Sequence, residues 1–313
     1  MRVLVTGGGG FLGTAVANAL IARGDTAIAF DTQFAAYDSA SREKYVRVIG
    51  DVTDMAALAQ AVLAYKPEAV IHCAAIVGVL SSIGSPINIV RINVEGSINV
   101  FEAMRIGSIK RGIHISSEEA YGAFRADRID ETHPLDPVLP YGICKATVEQ
   151  LGRSYHDMHG LEVINLRTSW VYGLDLQRDR IPRNLVIAAL EGRKLHIPSG
   201  ADSAIDHTYV DDWVAAVLGA LDHPRHHYDA YNIGTGSAPT VAELAAIVSE
   251  LVPGAQLSVG PGVYRHGNLV ELVKKGAFDI SRAEQEFGWK PKYDIRSGIA
   301  AYIDTMRKQR NGN

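Results

Sequence analysis

Residues 6–13 read TGGGGFLG, and this run decides the fold. It follows a short apolar stretch, Arg2–Thr6, that reads as a strand, and it opens a segment with helical periodicity, Phe11–Arg23. Gly7, Gly10 and Gly13 are spaced so that the first permits a tight turn, the second lets backbone approach a pyrophosphate, and the third lets helix pack on strand. The start of the helix, at Phe11 and Leu12, then offers free N–H groups to phosphate oxygens. A second strand, Thr26–Phe30, ends in Asp31, whose carboxylate is suited to accept hydrogen bonds from ribose hydroxyls and to repel a 2′-phosphate. The expected cofactor is therefore NAD. Arg42 could reach a 2′-phosphate, which leaves NADP as the alternative.

The apolar and helical patterns alternate outward from this point. Strands are expected at Val46–Ile49, Ala69–Cys73, Gly112–Ser116 and Glu162–Leu166, and helices at Asp54–Tyr65, Ile87–Arg105 and Tyr141–His159. Continuous apolar strands separated by helices are the pattern of a doubly wound parallel sheet covered on both faces, a Rossmann α/β fold. After Arg167 the regularity loosens and prolines punctuate shorter elements, among them helices at Asp211–Leu221 and Val241–Leu251 and a strand at Tyr231–Ile233. The expected division is a cofactor-binding domain, residues 1–168 with a return segment near 205–235, and a smaller substrate-binding lobe from 169–204 and 236–313.

The chain has 313 residues, 47% of them hydrophobic, which is enough for a substantial core. A net charge of −4 argues against nucleic-acid or anionic-membrane partners. Two cysteines suit a reducing compartment, no apolar run approaches a membrane span, and the first strand leaves no room for a signal peptide. A cytoplasmic protein is expected.

Further cofactor contacts are expected where the third and fourth strands end. Asp51 and Val52 can meet an adenine edge; alternatively, Asp51 or Thr53 caps the helix beginning near Asp54. Cys73, Ala74 and Ala75 are small enough to let backbone pass close to a cofactor. The chemistry is expected at Tyr141 and Lys145, one helical turn apart on one face. A nearby ammonium, helped by the positive charge of a nicotinamide, favours phenolate and equips Tyr141 to move protons near neutral pH. Ser117, at the end of the fifth strand, can hold the oxygen that Tyr141 deprotonates. His72 and His114 read as core histidines and His226 and His227 as turn residues, so no metal is expected.

Together TGGGGFLG, Asp31, HCAA (72–75), NVEGSINV (93–100), SSEEAYG (116–122), YGICK (141–145), LRTSWVYG (166–173), HTYVDDWVAAV (207–217), YNIGTG (231–236) and DISRAEQEFGWKP (279–291) resemble, in order, the extended short-chain dehydrogenase/reductase family. The resemblance is to its NAD-dependent sugar epimerase/dehydratase branch. It implies that Tyr141 takes a proton from a sugar hydroxyl while hydride passes from that carbon to NAD, that Lys145 binds the nicotinamide ribose, that Ser117 positions the hydroxyl, and that Asn93 supports the geometry. Glu119, and less directly Glu118, match the acidic residues with which dehydratases remove a second proton. The helices at Ile87–Arg105 and Tyr141–His159 would pair with a second copy in a homodimer.

The chain also departs from the family. Trp170 stands where many members have asparagine, and Ile205 where many have a diphosphate-binding arginine. Arg265 matches a second phosphate-binding arginine, followed by Asn268 in place of aspartate, and Arg180 and Arg183 could compensate. The expected activity is epimerisation or dehydration of a sugar-nucleotide-type substrate. A net dehydrogenase or reductase of a small free sugar, sugar acid or polyol is the second reading, and a non-catalytic NAD sensor the third.

Overall fold

The computed structural model describes residues 1–34, 45–267 and 269–311; Arg42 and Asn268 lie outside them. The apolar runs become strands and the periodic segments helices. In chain order these are β1 (Arg2–Thr6), α1 (Phe11–Ala22), β2 (Thr26–Asp31), β3 (Val46–Ile49), α2 (Met55–Tyr65), β4 (Ala69–His72), α3 (Val79–Gly84), α4 (Pro86–Val90), α5 (Gly96–Ile106), β5 (Arg111–Ser117), β6 (Arg128–Ile129), α6 (Pro140–His159) and β7 (Glu162–Thr168). The rest of the chain adds β8 (Trp170–Tyr172), α7 (Arg183–Leu190), β9 (Leu195–Ile197), β10 (His207–Tyr209), α8 (Val210–Asp222), β11 (Ala230–Ile233), α9 (Val241–Leu251), β12 (Leu257–Val259), β13 (Arg265–His266), β14 (Val270–Glu271), β15 (Ala277–Phe278), α10 (Ser281–Phe287) and α11 (Ile295–Asn311).

Seven strands form one parallel sheet in the order β11-β7-β5-β4-β1-β2-β3. Chain order reverses on either side of β1, so a crevice opens at the carboxyl ends of β1 and β4, where open α/β sheets bind ligands. Thr6 is in register with His72 of β4, and Ser117 of β5 with Thr168 of β7, which brings the ends of four strands to one edge. One face of the sheet packs Val16 and Leu20 of α1 and Trp213 and Val217 of α8, and the other packs Leu58 of α2, Phe101 of α5 and Val148 of α6. A separate core, with Trp170, Leu185, Leu244 and Tyr302, unites β8, α7, α9 and α11.

Two expectations need correction. The helix expected over 87–105 is not continuous: a π turn, Arg91–Glu95, separates α4 from α5. Its wider winding accompanies a set of inward hydrogen bonds. Asn93 is buried, donates to Ile76 O at 2.9 Å and accepts from Ile76 N at 2.8 Å, and its carbonyl accepts from Ser97 Oγ at 2.6 Å. The cap of α2 is neither Asp51 nor Thr53 but Asp54, whose carboxylate accepts from the amides of Ala56 and Ala57.

α6 carries Tyr141, Lys145 and Glu149 at four-residue intervals, hence on one face turned to the sheet. Glu149, fully buried, accepts from Arg167 Nε at 3.0 Å and Nη2 at 2.6 Å and from Ser116 Oγ at 2.6 Å. Arg167 also donates to Tyr121 Oη at 2.9 Å, and Tyr121 in turn donates to Asn232 Oδ1 at 2.7 Å. The network ties α6 to β5, β7, β11 and the turn after Ser117. Replacing Arg167 with Met takes the nearest cation from a fully buried carboxylate and leaves it only Ser116 and the more distant Arg153, at 3.7 Å; the expected loss of stability is about 3–5 kcal/mol. Chemical denaturation should show it as a lowered midpoint, and Glu149→Leu in the same chain should recover part of the loss.

Candidate active site

A cavity of about 1150 Å³ runs along the carboxyl edge of the sheet from the glycine turn to the second core. Gly7, Gly10, Phe11, Leu12, Gly13, Asp31, Asp51, Val52, Cys73, Ala74 and Ala75 line one part of it, and Ser117, Glu119, Tyr141, Lys145 and Arg180 another. The glycine turn is tight. Gly7 has φ 69°, and a Cβ there would come within 2.6 Å of Ala74 N; a Cβ on Gly13 would fall 2.1 Å from Gly7 O. A Cβ on Gly10 would meet only Gly7 O, at 3.3 Å, so this side of the turn is open to a ligand. Gly10 is also the N-cap of α1 and brings no side chain to the amides of its first turn, which suits a pyrophosphate. Asp31 accepts from Gly9 N at 3.0 Å, fixing its carboxylate beside the turn. Asp51 accepts from the amide and hydroxyl of Thr53, at 2.8 and 2.9 Å. These groups fit the pyrophosphate, ribose and adenine of a dinucleotide.

Tyr141, Lys145 and Ser117 lie in the other part of the cavity. Lys145 Nζ donates to Ile115 O at 2.5 Å and lies 5.9 Å from the centre of the Tyr141 ring. Burial pulls its ammonium down to about 8. The phenol of Tyr141 is pushed upward by burial, with Arg178, a hydrogen bond with Ser117, and Arg180 pulling the other way. The protein alone therefore does not favour the phenolate as the Tyr141–Lys145 spacing leads one to expect, because desolvation outweighs the neighbouring cations. Ser117 is buried, and its hydroxyl accepts from Glu119 N at 3.2 Å.

The two acidic residues part company. Glu119 faces the cavity and pairs with Lys275 at 3.4 Å. Glu118 turns away from the cavity lining into the protein, where it accepts from Trp170 Nε1 at 2.6 Å; burial raises its carboxyl to about 7. The arginines differ as well. Arg180 lies with its guanidinium 3.8 Å from the centre of the Trp170 ring. Arg265 is exposed and paired with Glu271 at 2.6 Å, and Arg183 pairs with Asp179; neither lines the cavity. Asn93 stands outside the lining and acts on it through Ile76. Ile205 is fully buried in the second core.

Arg178, Tyr264, His266 and Lys275 escaped the sequence reading. Arg178 sits two residues before Arg180 in a stretch without periodicity, and Lys275 reaches Glu119 across more than 150 residues, so no local spacing announces either. His72, between Thr6 Oγ1 at 2.6 Å and Ser97 Oγ at 2.9 Å, and His114, at 2.9 Å from Asn165 Oδ1, are hydrogen-bonded core residues. Among the described residues no group of three or more His, Cys, Asp or Glu side chains is arranged to hold a metal, and no helix is long and apolar enough to cross a membrane.

Residues 3–234 match the family model described as NAD dependent epimerase/dehydratase family. The chain is 32% identical to a putative UDP-glucose 4-epimerase of Methanocaldococcus jannaschii, over 97% of this chain and 98% of that one. It is 28% identical to a dTDP-glucose 4,6-dehydratase of Neisseria gonorrhoeae, over 99% and 98%. A crystal structure of a Thermotoga maritima UDP-glucose 4-epimerase with UDP-glucose superposes with a TM-score of 0.91 at 27% identity, covering 99% of this chain and all of that one.

The Asp31 carboxylate is expected to accept from ribose hydroxyls, so its removal should take away charge-assisted acceptors. Asp31→Ala should weaken NAD binding by roughly ten- to a hundredfold, about 1.5–3 kcal/mol, and narrow the preference for NAD over NADP. Calorimetric titration of cofactor-stripped protein reads both.

Proposed function

The chain belongs to the NAD dependent epimerase/dehydratase family, and we propose that it oxidises a hydroxyl-bearing carbon of a sugar-nucleotide-type substrate transiently, to epimerise or dehydrate it. The carrying observation is that Ser117, Tyr141 and Lys145 share one cavity with the glycine turn and Asp31. NAD bound along that turn supplies the hydride acceptor. Ser117 holds the substrate hydroxyl, Tyr141 takes its proton, and Lys145 binds the nicotinamide ribose and stabilises negative charge on the phenol. With the neighbouring carbon acidified by the new carbonyl, Glu119 is placed to remove its proton, the step that separates dehydration from epimerisation. Glu118, turned into the protein against Trp170, has no part in that step.

Residues 1–168 with the return segment near 205–235 are assigned to NAD, in keeping with β11 joining the main sheet and α8 packing beside α1; residues 169–204 and 236–313 are assigned to the substrate. Ile87 and Val90 on α4 and Ile143 on α6 are exposed apolar side chains on contacting helices, which supports a homodimer through that face. The free thiols Cys73 and Cys144 agree with a reducing cytoplasm.

One observation favours a second reading, net oxidation of a small free sugar or sugar acid. The two positions where the family carries diphosphate-binding arginines hold a buried Ile205 and an Arg265 paired with Glu271 outside the cavity.

Purified protein should convert a nucleotide sugar without added cofactor under the first reading and release stoichiometric NADH under the second. In either case Tyr141→Phe should lower turnover by roughly 100-fold or more with NAD affinity retained; unchanged turnover would remove Tyr141 from the mechanism. Glu119→Gln should leave oxidation intact and block elimination, read as loss of dehydrated product with epimerisation preserved.

A further inference from the structure

Two cations stand at the reacting end of the cavity: Arg180, which the sequence offers only as a replacement for a phosphate-binding arginine, and Arg178, to which it gives no task. Arg178 and Arg180 both line it, and both act electrostatically on the phenol of Tyr141. Among the described residues neither guanidinium has a salt-bridge partner. Neither nearby carboxylate pairs with them: Glu118 Oε1 accepts from the Trp170 indole while its Oε2 is buried without a partner, and Glu119 pairs with Lys275, although both influence Arg180 from a distance. Arg180 Nε is buried without a hydrogen-bond partner. A buried donor left unpaired is costly, and here it belongs to a cation stacked against the cavity wall.

That wall is built for it. Trp170, 2% exposed, replaces the smaller residue common in the family and offers a flat face to the guanidinium at 3.8 Å. Its indole N–H is held by Glu118, and Tyr264 and His266 stand around the ring at centroid distances of 6.0 and 5.9 Å. Arg178 approaches from the side of the β4–α3 loop: its Nη1 lies 2.8 Å from where a Cβ on Gly78 would be, so the guanidinium lies close against the backbone of that residue. A stacked, planar guanidinium with a free edge, beside a second cation, is matched to a carboxylate, which it can bind through two parallel hydrogen bonds.

We propose that Arg178 and Arg180 bind a carboxylate carried by the substrate itself, close to the carbon that Tyr141 serves, so that the substrate is an acidic sugar of the uronic type. This rests on the reading of the cavity as a sugar-oxidising site. The carboxylate can arrive on a free sugar acid or on a nucleotide-linked one. Either way it neutralises cations that otherwise repel one another, and it fixes which face of the ring meets the nicotinamide subsite.

The test is a binding measurement in which no turnover is needed. NAD-loaded protein carrying Tyr141→Phe is titrated calorimetrically with D-glucuronate, UDP-glucuronate, D-glucose and UDP-glucose, with and without Arg180→Gln. The expected result is that at least one acid binds more tightly than its neutral counterpart, and that Arg180→Gln weakens that acid by roughly tenfold or more while the neutral sugars change less than about twofold. Arg180→Lys should restore only part of the affinity, since it keeps the charge and loses the planar fork. Preference confined to D-glucuronate identifies a free acid and preference confined to UDP-glucuronate a nucleotide-linked one; both support the proposal. It is overturned if neither acid outbinds its neutral partner, or if Arg180→Gln weakens UDP-glucose as much as the acids, which would make the arginine a diphosphate contact. An unchanged thermal melt of Arg180→Gln guards against misfolding. Failure to turn over any sugar would count against the proposed reaction and leave this binding result standing.

Discussion

The ion pair between Glu149 and Arg167 holds the chemistry in place. Both side chains are almost completely buried, and the carboxylate takes two hydrogen bonds from the guanidinium and one from Ser116. A buried pair of this kind contributes less to stability than its Coulomb attraction implies, because both charges have left water. What it secures is position. Glu149 lies one turn beyond Lys145 and two beyond Tyr141 on α6; Ser116 precedes Ser117; Arg167 precedes Thr168, the β7 residue in register with Ser117. One network therefore sets the rotation of α6 against the strand ends, and with it the approach of the phenol to the serine. Since both charges are buried and meet each other directly, sliding α6 by a residue would pull them apart at a cost.

The cofactor end is governed by a different constraint, the close approach of backbone to backbone. Gly7 nearly touches Ala74 and Gly13 nearly touches Gly7, so the turn, β4 and α1 meet where no side chain fits. That closeness aims α1 at the crevice. Asn93 adds a third fastening, holding Ile76 through both amide atoms and so shaping the loop between the two ends of the cavity.

Local spacing explains which parts were legible in the sequence. The glycine turn, Asp31, Ser117 and the Tyr141–Lys145 pair each announce themselves within a few residues, because turn geometry, strand ends and helical periodicity are short-range properties. The parallel sheet followed from the same alternation. The π turn at Arg91–Glu95 was hidden, since Ile87–Arg105 has an unbroken helical pattern and the winding answers to Ile76. The family resemblance already favours Glu119 over Glu118, but only the fold puts one against Trp170 and the other in the cavity. Arg265 was misread because in β13 adjacent side chains point to opposite sides, and it is His266 that faces inward. Arg178 and Lys275 depend on contacts with no sequence proximity at all.

The electrostatics of the reacting end bring these strands together. Burial raises the phenol of Tyr141 and lowers the ammonium of Lys145, so desolvation works against the charged form of both groups. In a dry site the remaining cations matter more than they would in water. Arg178 and Arg180 both favour a phenolate, yet burial, with the neighbouring charge of Arg178 adding to it, pulls Arg180 down to about 10. An anion seated between them relieves that repulsion and partly cancels their pull on the phenol. On the proposed reading, a bound nicotinamide's positive charge and Lys145 would then be the groups that set when Tyr141 gives up its proton. On the same reading the site responds to occupancy: with cofactor and substrate both bound, the charges that would make Tyr141 a base are the ones next to the reaction, and the arginines would be spent on holding the substrate.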